Sequence, residues 1–118
     1  MIKGIGIDIV ELDRIERLMS KGDRFTERIL TTREREALEK LSSLHRKVEF
    51  VAGRFAAKEA FAKATGHGIG KLSFQHIEVL SNDLGAPELH VQSYKQEKLF
   101  VSISHSKQYA VAQVIITQ

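Results

Sequence analysis

Asp8 and Glu59 are the residues whose surroundings suit them least. Asp8 interrupts the apolar run I-G-I-D-I-V, and Glu59 lies within F-A-A-K-E-A-F-A-K-A, a stretch rich in alanine and phenylalanine. A carboxylate among apolar neighbours is costly unless a cation or hydrogen-bond donors meet it, so each asks for a partner. A plain reading gives Asp8 to a strand-end turn and pairs Glu59 with Lys63, one helical turn on, across a solvated face. A chemical reading joins the two at a metal. Glutamate and lysine one turn apart can bind a divalent cation and a phosphate side by side. Mg²⁺ typically takes one or two protein carboxylates, keeps several waters and draws other ligands from substrate phosphates. Asp8 and Glu59 supply that number, and in a chain without cysteine any metal must use oxygen or imidazole.

Further cations surround this pair in sequence. Arg54 and Lys58 lie on the same helix and Arg46 just before it, and an arginine fork suits a phosphate. Ser104-His105-Ser106-Lys107 closes a turn between two apolar strands. A serine-histidine nucleophile is possible there in principle but disfavoured, because neighbouring strand residues face opposite ways and no third group orients the imidazole; a polar turn is the plain reading and a phosphate or nucleotide contact the chemical one. Gly66 to Lys71 resembles a phosphate loop but lacks the Walker pattern, since Thr65 and Leu72 stand where glycine and a hydroxyl residue are needed. Gly4-Ile5-Gly6 fails the dinucleotide fingerprint, because Ile9 occupies the third glycine position. His45, His67, His76 and His90 show no metal-ligand spacing and read as surface or loop residues. Arg14, Arg17, Lys21, Arg24 and Arg28 recur at steps of three and four, which gives a basic surface. Few aromatics and the intervening Glu16, Asp23 and Glu27 favour an acidic protein over a nucleic-acid groove as its partner.

The elements that must position these residues follow from periodicity. Ile5, Ile7 and Ile9 alternate with Gly4, Gly6 and Asp8, which predicts a strand with Asp8 facing away from the isoleucines and two glycines open to close approach. From Glu11 the period becomes helical, with Leu12, Ile15 and Leu18 or Met19 on one side and a break at Gly22. Thr31 and Glu34 predict a capping box for a third helix carrying Leu38, Leu41 and Leu44. The segment from Val48 to Thr65 is apolar nearly all round and reads as the central helix, with Gly66 as its left-handed cap. Beyond it L-S-F-Q-H-I-E-V-L, E-L-H-V-Q, L-F-V-S-I-S-H and Y-A-V-A-Q-V-I-I read as strands. One strand, a helical block and then an antiparallel meander define an α+β class.

At 118 residues the chain is expected to form a single domain spanning 1–118. Its 42% apolar and 28% charged residues are ordinary globular values, which excludes a disordered or fibrous class. The absence of cysteine fits a reducing cytosol, no apolar run reaches membrane-span length, and no signal-peptide pattern opens the chain. The expectation is a cytoplasmic protein. A net charge of +3 suits an anionic partner without choosing one.

Three blocks together resemble the holo-[acyl-carrier-protein] synthases, the small bacterial 4′-phosphopantetheinyl transferases: G-I-G-I-D-I-V-E-L-D-R-I from Gly4, F-V-A-G-R-F-A-A-K-E-A-F-A-K-A from Phe50 and V-S-I-S-H-S from Val101. Their order and spacing match nearly end to end. The resemblance implies Mg²⁺-dependent transfer of the phosphopantetheine arm of coenzyme A to a serine of an acyl carrier protein, in support of fatty acid biosynthesis. It implies metal ligation by Asp8 and Glu59, and catalysis by these two with Lys63 beside the phosphates. Arg46, Arg54, Lys63, His105 and Ser106 would contact coenzyme A, and Arg14, Arg24 and Arg28 would dock the acidic carrier. A homotrimer with interfacial active sites is implied, and neither a nucleic acid nor a membrane is expected as a partner. Two departures stand out: His67 where threonine is frequent, and Ala86 where lysine often lies between Gly85 and Pro87. A basic nucleic-acid-binding domain centred on Arg14 to Arg35 is the rival expectation.

Overall fold

A computed structural model describes residues 1–68 and 73–118. The glycine-rich loop reading at Gly70, Lys71 and Leu72 therefore lies outside the described residues. The chain opens with strand β1 (Ile2–Glu11), followed by helices α1 (Leu12–Met19), α2 (Arg24–Ile29), α3 (Thr32–Glu39) and α4 (Leu44–Thr65). Strands β2 (Ile77–Ser81), β3 (Pro87–Val91), β4 (Lys98–His105) and β5 (Tyr109–Thr117) complete it. This is the expected α+β order.

Among the described residues the strands divide into two ladders. β1, β5 and β4 form an antiparallel sheet in that order, so the first strand pairs with the last, and β2 pairs with β3 in a separate hairpin. In the larger sheet Asp8 lies opposite Ala112, which lies opposite Ile103 on β4; Val10, Ala110 and His105 form the next row on the same face. Asp8 and His105 thus occupy one face at opposite edges of the sheet. The other face carries Ile5, Ile115 and Phe100 in one row and Ile7 and Ile9 in the next two. Ile5 and Ile7 are each 58% exposed and Ile9 63%, so this apolar face has no cover among the described residues.

α4 packs across the first face, and the glycines of β1 make its approach possible. A Cβ at Gly4 would run into the Ala64 carbonyl oxygen, and one at Gly6 into that of Ala60. The expectation that these glycines admit a close neighbour is borne out, and the neighbour is helix backbone. Val51, Ala52, Ala56, Ala57, Ala60 and Phe61 of α4 are fully buried. Ser43 caps its start, accepting from Arg46 N–H, and Gly66 ends it in the left-handed conformation at φ 82°.

Local details depart from the sequence reading in two places. α3 stops at Glu39, leaving Leu41 in the connection and Leu44 at the start of α4, because Ser43 starts a new helix there. The capping box of Thr31 and Glu34 forms as expected. Phe74–His76 is a 3₁₀ turn, since Ser73 caps it by accepting from Gln75 N–H, and strand β2 begins only at Ile77. The break expected at Gly22 is present: Arg14 and Arg17 lie on α1, Arg24 and Arg28 on α2, and Lys21 in the turn between them. No helix among the described residues is long and apolar enough to cross a membrane.

Candidate active site

β1 is an edge strand, and α4 crosses it with Glu59 and Lys63 on the flank beside that edge. The Lys63 ammonium donates to the Asp8 carboxylate (Nζ to Oδ1, 3.0 Å) and to the Ile7 carbonyl of the same strand at 3.0 Å. Glu59 is half-buried next to this pair. Burial and then the neighbouring Asp8 charge push its carboxyl pKa up, while Lys63 and Arg14 pull it back. Asp8, Lys63 and Arg14 are thus all near enough to Glu59 to bias its ionisation. Arg14 approaches from α1, its guanidinium 5.9 Å from the centre of the Phe55 ring.

Two carboxylates close enough for one to raise the proton affinity of the other form a place where added positive charge is favourable. No group of three histidine, aspartate or glutamate side chains among the described residues is placed to hold a metal by itself. That suits Mg²⁺ with two protein carboxylates better than a closed protein cage, and zinc sites normally use three or four protein ligands. The residues present fit Mg²⁺, with Asp8 and Glu59 as the groups that would hold it and Lys63 as the cation already touching Asp8.

A second group of candidates gathers at the opposite edge. A cavity of about 470 Å³ is lined by Arg46, Glu49, Phe50, Arg54, Pro87 and His105, among others. The Arg54 guanidinium stacks on the Phe50 ring at 4.0 Å and reaches Ser81 Oγ at 3.4 Å. Its Nε is buried without a hydrogen-bond partner, and burial holds its pKa below the usual arginine range despite the Glu34 charge. An anion entering this cavity would find an unpaired donor on a desolvated cation. His105 Nδ1 lies 3.3 Å from Glu49 Oε2, and His45 Nε2 approaches the same oxygen at 3.2 Å. Ser106 Oγ accepts from the N–H groups of Gln108 and Tyr109, which closes the β4–β5 turn.

Within one chain these groups do not meet. Arg54 and Glu59 are five residues apart, about 140° around the helix axis, so they flank α4 on opposite sides. Asp8 and His105 stand on the two edge strands of the sheet, separated by β5. Arg24 and Arg28 are exposed on α2.

Lys58, read from sequence as another phosphate cation, belongs to the interior. Its side chain has no exposure and pairs with the equally buried Glu34 at 2.6 Å. It also donates to the carbonyls of Ile29 at 2.7 Å and Phe74 at 3.0 Å. Glu34 accepts further from the N–H groups of Thr31 and Val79, which leaves no donor or acceptor free for a ligand. Burial lowers the ammonium pKa and Glu34 restores part of it. The signal was available: Lys58 lies seven residues after Val51 and three before Phe61, on the buried stripe of the helix. Glu49 was also missed, and its spacing of four from His45 was the only hint.

The family model described as 4′-phosphopantetheinyl transferase superfamily matches residues 4–114. A holo-[acyl-carrier-protein] synthase of Oceanobacillus iheyensis is 57% identical over 116 residues, covering 98% of this chain and 97% of that protein. One from a Geobacillus species is 58% identical over 117 residues, covering 98% and 97%. A holo-(acyl-carrier-protein) synthase crystal structure from Bacillus anthracis, in complex with CoA (3′,5′-ADP), superposes with a TM-score of 0.91 at 53% identity, covering 100% of this chain and 98% of that one. The Helicobacter pylori enzyme in complex with coenzyme A gives a TM-score of 0.85 at 36% identity, covering 96% and 99%.

Proposed function

The chain belongs to the 4′-phosphopantetheinyl transferase superfamily as an enzyme of the holo-[acyl-carrier-protein] synthase kind, and from that membership we propose Mg²⁺-dependent transfer of phosphopantetheine from coenzyme A to a serine of apo acyl carrier protein. The observation that carries the reading is the cluster of Asp8, Glu59 and Lys63, where two carboxylates and an ammonium converge at the edge of β1. A bound Mg²⁺ would supply charge neutralisation at the pyrophosphate and a lowered pKa for bound water.

The chain's own groups have distinct tasks. The serine oxygen forms a bond to the β-phosphorus of coenzyme A as the bond from that phosphorus to the bridging oxygen breaks, releasing adenosine 3′,5′-bisphosphate. The serine proton goes to the Glu59 carboxylate, directly or through water, and its raised proton affinity suits that role. Lys63 neutralises the transferring phosphate and holds Asp8 in place. Arg54, with Arg46 and His105, binds the anionic nucleotide end in the cavity at the other edge. Such a transfer needs little covalent help and much positioning.

The division of these groups between two edges supports active sites shared between copies, the metal carboxylates from one and the arginine pocket from its neighbour. The uncovered face of Ile5, Ile7, Ile9 and Phe100 is the apolar surface that a homotrimer would bury. Arg14 beside Glu59, with Arg24 and Arg28 on α2, gives the acidic carrier a basic approach to the carboxylates. The proposed role is a cytoplasmic one in fatty acid synthesis, which rests on the family membership.

Intact-mass spectrometry of an apo carrier incubated with the enzyme, coenzyme A and Mg²⁺ tests the reaction. A gain of one phosphopantetheine arm, lost with EDTA and with Glu59→Ala, supports it. No gain with a carrier that another transferase modifies overturns it.

A further inference from the structure

The helix that presents Arg24 and Arg28 is only six residues long, and its Asp23 N-cap makes no side-chain hydrogen bond. A helix this short has little stability of its own. Its C-terminal end is nevertheless held by side chains from three other elements. Gln75 Nε2, from the 3₁₀ turn before β2, lies within hydrogen-bond distance of the carbonyls of Glu27 at 2.9 Å, Arg28 at 3.1 Å and Leu30 at 2.8 Å, its two N–H groups shared among the three. Arg35 Nη1 of α3 reaches the Leu30 carbonyl at 2.7 Å and that of Glu27 at 3.3 Å. Lys58 Nζ of α4 takes the remaining one, Ile29, at 2.7 Å. Every carbonyl from Glu27 to Leu30 thus has a side-chain donor, where a helix end ordinarily relies on water or a glycine cap.

We propose that Gln75, with Arg35 and Lys58, is a positioning residue for carrier docking, fixing α2 and its two exposed arginines relative to Glu59. Lys58 immediately precedes Glu59 on α4, so the Ile29–Lys58 contact ties the docking helix directly to the turn that carries the catalytic carboxylate. Gln75 reaches the most carbonyls in this clamp while its own side chain is exposed, so replacing it leaves the core untouched. The inference rests on the transferase reading and on the docking role assigned there to Arg24 and Arg28.

The test is steady-state kinetics of Gln75→Leu, an uncharged replacement of similar size, with each substrate varied in turn, alongside amide hydrogen exchange of both proteins. The carrier KM should rise roughly tenfold while kcat and the coenzyme A KM stay within about twofold, the scale set by lost hydrogen bonds to one helix end. Exchange should accelerate over residues 24–30 and hardly elsewhere. Equal rises in both KM values, or faster exchange spreading through α3 and α4, would show general destabilisation and overturn the proposal. A raised carrier KM with unchanged exchange in α2 would make Gln75 a direct carrier contact and overturn it too. If the parent protein transfers nothing to a competent carrier, the transferase reading and the docking role fall together, while exchange over residues 24–30 still decides whether the clamp holds the helix.

Discussion

Replacing Lys58 by methionine keeps most of the side-chain volume and removes one charge from the fully buried pair with Glu34. Three hydrogen bonds go with it, to Glu34, Ile29 and Phe74. The carbonyls of Ile29 and Phe74 lose this donor, and the Glu34 carboxylate keeps the N–H groups of Thr31 and Val79 but loses its cation. Breaking a buried pair in this way costs about 3–5 kcal/mol. For a chain of 118 residues the unfolding entropy is about 0.25 kcal/mol/K, which converts that loss into a fall in Tm of about 12–20 °C. Thermal unfolding by circular dichroism reads it directly, at one fixed protein concentration because assembly would couple Tm to concentration. Adding Glu34→Gln should cost less in the Lys58→Met background than in the parent, since the amide leaves no buried charge uncompensated. A fall in Tm under about 4 °C, or two effects that add within about 0.5 kcal/mol, would refute the ion pair as the hub of the interior.

Gly6→Ala drives a Cβ into the Ala60 carbonyl and must displace α4 from β1, lowering Tm by about 4–12 °C on the 1–3 kcal/mol scale of overpacking; an unchanged Tm would mean the strand and helix do not meet as described. Glu59 titrates with a raised pKa in the folded chain, so its ionisation costs stability as pH rises from the unfolded value through the folded one. Without metal, Glu59→Gln should therefore be more stable than the parent at neutral pH, with the gain vanishing near about pH 3; a gain that persists in acid would contradict this. Arg54→Lys loses the planar stack on Phe50 and the fork that faces the cavity, and should raise the coenzyme A KM by about tenfold with the carrier KM unchanged. Titration calorimetry with coenzyme A checks the same loss, and equal affinities would remove Arg54 from the nucleotide pocket.

Short-range patterns carried much of this fold. The capping box of Thr31 and Glu34, the glycine end of α4 and the alternation around Asp8 each depend on a few consecutive residues, and each formed as read. Pairing of the first strand with the last depends on tertiary closure, and nothing local in I-K-G-I-G-I-D-I-V-E names Tyr109–Thr117 as its partner. The same limit explains Lys58. Its charge suggested a ligand contact, whereas its partner Glu34 sits 24 residues away and had already been assigned to a cap. Glu34 does both, with one oxygen serving Thr31 and Lys58 and the other Val79. Asp8, Glu59 and Lys63 were recognisable because a strand and a helix each place a charge among apolar residues. That Lys63 bonds Asp8, rather than only flanking Glu59 on its own helix, required knowing that α4 crosses β1. Arg54 was legible as a cation and His105 as an imidazole at a strand end, but their seat at the far edge from Asp8 appears only once the strand order is known.

Mixing two inactive variants tests most directly whether the transferase site is completed between copies. Glu59→Gln lacks the proposed catalytic carboxylate and Arg54→Ala the proposed anion contact, so each homogeneous protein should leave apo carrier unmodified within the assay time. After equal amounts are unfolded and refolded together, about one quarter of the sites in a cyclic assembly combine an intact carboxylate edge with a neighbour's intact arginine pocket. Carrier modification by the mixture is expected at about that fraction of the parent rate. A mixture that exchanges subunits yet remains as inactive as its components would contradict a site completed between copies.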